Sequence, residues 1–139
     1  MACANPISAA VAAFEALALT RIAVVTPYTA DVTAPVAQYF EDRGISVSAV
    51  GSFLESSDDV VARISTDSIA AGVRQMAAAG DCDGVFISCT SLRTFSVVEA
   101  LEAEIHMPVV SSNLAITWQL LRTAGIDDRV DGLGTLLRT

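Results

Sequence analysis

Gly84-Val85-Phe86-Ile87-Ser88-Cys89-Thr90-Ser91-Leu92-Arg93-Thr94 is the stretch that decides how this chain is read. Its first part is a short apolar run, the pattern of a strand buried on both faces of a parallel sheet. Its second part is polar and leads into a helical pattern over residues 95–105. A strand that feeds a helix through such a turn belongs to a βαβ unit, and open α/β sheets place their chemistry outside the carboxyl ends of the strands. Cys89 stands at that end. Unpaired N–H groups at a helix start carry partial positive charge, favour a thiolate and can hold a carboxylate or enolate oxygen. The plainer alternative is a thiol that packs as a small hydrophobe.

Outward from that stretch the same alternation repeats. Residues 21–26 read as a short buried strand stopped by Pro27, and residues 45–50 and 107–111 read as two more strands. Helical patterns cover residues 7–19, 33–43, 66–79 and 114–124. Asn5 is placed to cap the first of these, with Pro6 at its first position, and Gly44 is placed to end the second. Residues 51–65 read as loop, and residues 127–139 as weakly structured tail. The pattern predicts an α/β, three-layer, flavodoxin-like domain: a four-stranded parallel sheet with helices on both faces and right-handed crossovers. One echo stands out: Asn5-Pro6-Ile7-Ser8-Ala9 opens an apolar helix, as does Asn113-Leu114-Ala115-Ile116-Thr117, but no strand precedes the first copy.

Composition narrows the function classes. The net charge is −8 and all eight cations are Arg, which disfavours nucleic acid and anionic membrane surfaces and leaves no lysine for a Schiff base or a P-loop. The 139 residues suit one domain, and no apolar run approaches the ~20 residues of a membrane helix. Cys3, Cys82 and Cys89 have neither zinc nor CxxC spacing. An odd cysteine count without a basic signal-like start points to a reducing, cytoplasmic setting.

Three predicted strand ends bear small polar groups: Thr26-Pro27-Tyr28-Thr29, Ser88-Cys89-Thr90-Ser91 and Ser111-Ser112-Asn113. Parallel strands bring these to one rim, holding a thiol, a phenol, hydroxyls, an amide and helix N-termini. Each hydroxyl alone also reads as a helix cap. Together the set suits a small carboxylate with an acidic C–H: the thiol passes the proton and N–H groups stabilise the enediolate. Rival readings fail on spacing. A cysteine phosphatase loop needs Cys-x5-Arg, whereas Arg93 follows Cys89 by four. A phospho-receiver needs a lysine, and a nucleotide binder needs a glycine-rich loop that is missing here. His106, the single histidine, falls before a strand and away from the rim, so it reads as a surface loop residue.

The motifs Thr26-Pro27-Tyr28-Thr29-Ala30-Asp31-Val32, Ala62-Arg63-Ile64-Ser65, Phe86 through Thr94, Pro108-Val109-Val110-Ser111-Ser112-Asn113 and Gly132-Leu133-Gly134 occur in order along nearly the whole chain. The ordered set resembles the maleate cis-trans isomerase and arylmalonate decarboxylase branch of the aspartate/glutamate racemase superfamily, ectoine-utilisation proteins included. The resemblance implies two pseudo-symmetric α/β domains with a cleft between them, and no metal or organic cofactor. It implies Cys89 as catalytic cysteine, Tyr28 as a substrate contact, and Thr90 and Ser91 as a turn whose N–H groups help bind carboxylate. Pro27, Thr29, Ser112 and Asn113, on the same rim of strand ends, are read as further substrate-binding residues.

The match is to the second half of that family alone. Residues 1–20 then correspond to a leading helix or linker and residues 21–112 to an α/β domain. Residues 113–139 correspond to a helix and tail that would pack on a missing first domain, which would leave an apolar face around Trp118 uncovered. Two function classes follow. One is an isomerase, racemase or decarboxylase module for small carboxylic or amino acids. The other is a silent half-domain that associates with a partner or with itself; in either case a homo-oligomer or a first domain is the expected partner.

Overall fold

A computed structural model describes residues 3–139. Strands β1 (Arg21–Tyr28), β2 (Ser46–Glu55), β3 (Gly84–Ile87) and β4 (Val109–Ser111) form a wholly parallel sheet in the order β2-β1-β3-β4. The central strands are apolar because both of their faces are covered: β1 is buried from Ile22 to Pro27 and β3 throughout. From β1 the chain moves to one edge of the sheet, then returns past it to β3 and β4. The direction of travel therefore reverses between β1 and β3, and a crevice opens at the carboxyl ends of strands at such a switch point.

Among the described residues, six α-helices complete the layers: α1 (Pro6–Ala16), α2 (Ala30–Glu41), α3 (Asp58–Val61), α4 (Thr66–Ala79), α5 (Val98–Ile105) and α6 (Ser112–Thr123). Val24 and Phe86 are register partners and share one face of the sheet. Phe14 of α1 and Phe40 of α2 meet Phe86 there edge-on, with ring centroids 5.3–5.4 Å apart. Such T-shaped contacts add to the gain from burial alone. Ala9, Ala10 and Ala13 are fully buried where α1 packs on α6. The opposite face is covered by α4, which lies over Val25 at Gly72, and by α5 beside it. Thus residues 1–20, read as a leading helix or linker, include a helix that supplies part of the common core. Leu114 and Ala115 of α6 are also buried within this chain, while Leu120 of the same helix is 54% exposed.

Several boundaries differ from the sequence reading. β1 does not stop at Pro27 but runs on to Tyr28. β2 continues to Glu55 through residues read as loop, and α3 follows in the same stretch. Gly51 is the reason the strand can continue: a Cβ there would lie 2.8 Å from Met76 Sδ, so α4 packs close over it. α2 starts at Ala30, with Pro35 inside it, and α5 starts only at Val98.

The tail is not weakly structured. Leu136 and Leu137, in a closing 3₁₀ turn, are 1% exposed. Glu102 receives the N–H of Thr135 at 2.7 Å and that of Val109 at 2.9 Å, joining tail to β4. Glu99 receives the N–H of Gly134 at 2.6 Å and pairs with Arg138 at 2.9 Å. Among the described residues, no helix is long and apolar enough to cross a membrane.

Candidate active site

Tyr28 owes its place to the last turn of β1. The pairing of β1 with β2 slips by one residue between Thr26 and Tyr28, where Pro27 has no N–H to give. A slip of this kind re-aims the side chain that follows it. The Tyr28 carbonyl is held by the Ser52 hydroxyl, and Thr33 Oγ1 lies 3.5 Å from it. Thr26 and Thr33 share a buried hydroxyl contact of 2.7 Å beneath.

Cys89 follows β3, the neighbouring strand, with φ +109°. That is a region side chains rarely occupy, and it persists only where the surroundings fix it. Those surroundings are visible. The Cys89 N–H donates to Ser112 Oγ at 3.1 Å, and the Ser91 N–H donates to Cys89 Sγ at 3.4 Å. Asn113 Nδ2 donates to the carbonyls of Thr90 and Leu92 at 3.0 and 3.2 Å, pinning the turn from α6. Below it, Thr94 Oγ1 donates to Ser111 Oγ at 2.9 Å, and Ser111 Oγ also caps α6 by receiving the Leu114 N–H at 3.2 Å.

Cys89 is 7% exposed, and that remnant opens on a pocket of about 360 Å³. Tyr28, Thr90 and Ser112 line the same pocket. Burial, and then the neighbouring Cys89 thiol, hold the Tyr28 phenol above its ordinary value. The phenol is therefore a neutral hydrogen-bond donor through the physiological range. On the other side of the turn lies a cleft of about 520 Å³, lined in part by Thr90, Ser91 and Asn113. Thr90 is common to both spaces.

Of the eight residues named from sequence, four (Cys89, Tyr28, Thr90 and Ser112) thus meet at the pocket, while Ser91 and Asn113 face the adjacent cleft. Pro27 is buried in β1, and Thr29 stands at the N-cap position of α2 without a side-chain capping bond; both flank Tyr28 without lining either space. Sequence reasoning missed Asn5, Pro6 and Ile7 at the start of α1, and Val32 and Val36 of α2, all of which wall the pocket. The echo of Asn5-Pro6-Ile7 with the start of α6 was the one available signal. Asn5 does cap α1, receiving the N–H groups of Ile7 at 3.1 Å and Ser8 at 2.9 Å.

The other candidates lie apart. His106 is exposed and closes α5 in a left-handed conformation. Cys3 is exposed. Cys82 is half-buried, points its sulfur at Met107 Sδ across 3.7 Å, and has its thiol pushed up by burial.

A family model described as arylmalonate decarboxylase matches residues 1–137. An arylmalonate decarboxylase from Bordetella bronchiseptica is 30% identical over 124 residues, which is 88% of this chain and 52% of that protein. The crystal structure of the maleate isomerase Iso from Pseudomonas putida S16 superposes with a TM-score of 0.90 at 29% identity, over 96% of this chain and 54% of that one. A Nocardia farcinica maleate cis-trans isomerase mutant, solved with a covalently bound succinylcysteine intermediate, gives a TM-score of 0.88 at 28% identity, over 94% and 53%. The chain spans about half the length of the curated relatives it matches.

Proposed function

Because this chain belongs to the arylmalonate decarboxylase family, we propose that it forms one wall of an active site for cysteine-dependent, cofactor-independent chemistry on small carboxylic or amino acids. The observation that carries the reading is a single pocket holding both the Cys89 sulfur and the Tyr28 phenol, at the reversal point of the sheet. The Thr90 N–H and the Tyr28 hydroxyl are donors for a carboxylate and stabilise charge that develops on it, while the Ser91 N–H, which donates to Cys89 Sγ, favours the thiolate. In decarboxylation, the bond from the α-carbon to one carboxylate breaks, CO2 leaves, and the electron pair moves into the remaining carboxylate as an enediolate; Cys89 then gives its S–H proton to the α-carbon, and the thiolate regains a proton from water. In racemisation, a base on the second wall takes the α-proton, the C–H pair forms the same enediolate, and Cys89 returns a proton from the other face. In addition chemistry, the thiolate forms a C–S bond to an alkene carbon and the π pair becomes a carbanion stabilised by the carboxylate. Rotation about the new single bond and loss of the sulfur restore the alkene.

The second wall comes from a further domain or another copy of the chain. The competing reading, a silent association module, is favoured by one observation, the exposed Leu120 on α6.

Thiol labelling with iodoacetamide, read by peptide mass spectrometry, decides between them. The expected result is labelling of Cys89 that maleate or phenylmalonate slows, with Cys3 unaffected by either acid. Cys89 labelling that no carboxylate alters overturns the catalytic reading. In an assembly that turns over substrate, Cys89→Ala is expected to abolish turnover.

A further inference from the structure

The cleft of about 520 Å³ beside the Cys89 turn has a composition that the chemistry at Cys89 does not require. None of the residues lining it is Asp or Glu, in a chain of net charge −8. One is a cation, Arg93. Among the described residues, Arg21, Arg74 and Arg138 are paired with carboxylates, Arg43 lies over the Tyr39 ring, and Arg122 donates to main-chain oxygens, whereas Arg63, Arg93 and Arg129 have no carboxylate partner. Of those three, Arg93 is the one that lines this cleft. Its single hydrogen bond is a long one of 3.4 Å from Nη2 to the Ile64 carbonyl. Its remaining N–H groups are free for a planar, bidentate acceptor. Hydroxyls of Ser91, Ser96 and Thr117 share the lining, and Phe95, 40% exposed, supplies an apolar side.

We propose that this cleft is a carboxylate subsite built on Arg93, which takes the far carboxylate of a dicarboxylic acid whose reacting carbon lies at Cys89. Thr90, which lines both spaces, is the sill over which one ligand spans them. The proposal rests on the Cys89 reading for its substrate role, but the binding of an anion at Arg93 stands by itself. Arg93 then acts on specificity: it selects acids with two carboxylates over acids with one.

The test uses the full chain and two readouts. In the first, the side-chain Nε–Hε signal of Arg93 is followed by NMR during titration with maleate and with acrylate. Maleate is expected to shift it saturably, at concentrations where acrylate does not. In the second, protection of Cys89 from iodoacetamide is compared in the wild-type chain and in Arg93→Gln. Because Arg93 is exposed, the variant is expected to fold normally, which its circular dichroism checks. Protection by maleate is expected to need about tenfold more acid in the variant, while any protection by acrylate is unchanged. An Arg93 signal that maleate leaves unmoved overturns the subsite, whatever happens at Cys89. So does an equal response to both acids. A maleate-specific shift at Arg93 with no protection of Cys89 keeps the subsite and removes the catalytic reading instead.

Discussion

Ser111→Ala is the substitution that most directly tests how the Cys89 turn is supported. Ser111 is fully buried and Thr94 is 1% exposed. The Ser111 oxygen has two donors, the Leu114 N–H at 3.2 Å and the Thr94 hydroxyl at 2.9 Å. Removing it costs the α6 cap, about 1 kcal/mol. It also strands the Thr94 hydroxyl away from water, about 1–3 kcal/mol more. The expected loss is therefore about 2–4 kcal/mol out of the ~5–15 kcal/mol that holds a domain together. Thr94→Val removes the donor and leaves Ser111 capping α6, so it should cost about 1 kcal/mol. In the double variant no donor is stranded, so its cost should fall short of the sum of the singles by about 1–3 kcal/mol. Urea unfolding of the four proteins gives the cycle, with equal slopes required before midpoints are compared. Additivity within about 0.5 kcal/mol would refute the claim that these two hydroxyls form one unit under the turn.

Three further outcomes are expected. Cys89→Gly should be more stable than Cys89→Ala by about 1 kcal/mol, because φ +109° strains any residue with a Cβ; the reverse order in chemical denaturation would mean that the turn is unstrained. Gly134→Ala should cost about 2 kcal/mol or more, since φ is +87° and the new Cβ would sit 2.6 Å from Val98 Cγ1; an unchanged Tm contradicts this. Tyr28 titrates above its ordinary value of 10.0, so the unfolded chain loses that proton first and stability falls as pH rises above 10.0. Tyr28→Phe should remove that part of the alkaline loss, and identical slopes against pH for the two proteins would show that the phenol is not shielded.

What was legible in the sequence is what local pattern encodes. The apolar runs at β1, β3 and β4 and the polar residues at their ends follow from burial on two faces, and they placed Cys89 and Tyr28 on one rim. What was hidden depends on distant partners. Pro27 reads as a strand stop because it lacks an N–H, yet a slipped register makes that N–H unnecessary. Gly51 reads as a breaker, yet it makes room for Met76, 25 positions further along. The tail reads as loop because it is polar and contains Gly132 and Gly134, yet its order comes from carboxylates of α5 that no local rule connects to it. The two hydrogen bonds from Asn113 Nδ2 to the Cys89 turn were likewise not legible, because they join α6 to a segment more than twenty positions earlier.

The beginning of α1 serves two ends at once. Phe14 anchors the helix in the aromatic cluster, while Asn5, Pro6 and Ile7, less than three turns earlier, form a side of the pocket. End fraying of a helix takes far less free energy than global unfolding. Peeling back those first residues would widen the approach to the sulfur while the sheet stayed intact. Hydrogen exchange at Ala9 and Ala10 then becomes a gauge of how often that doorway stands ajar.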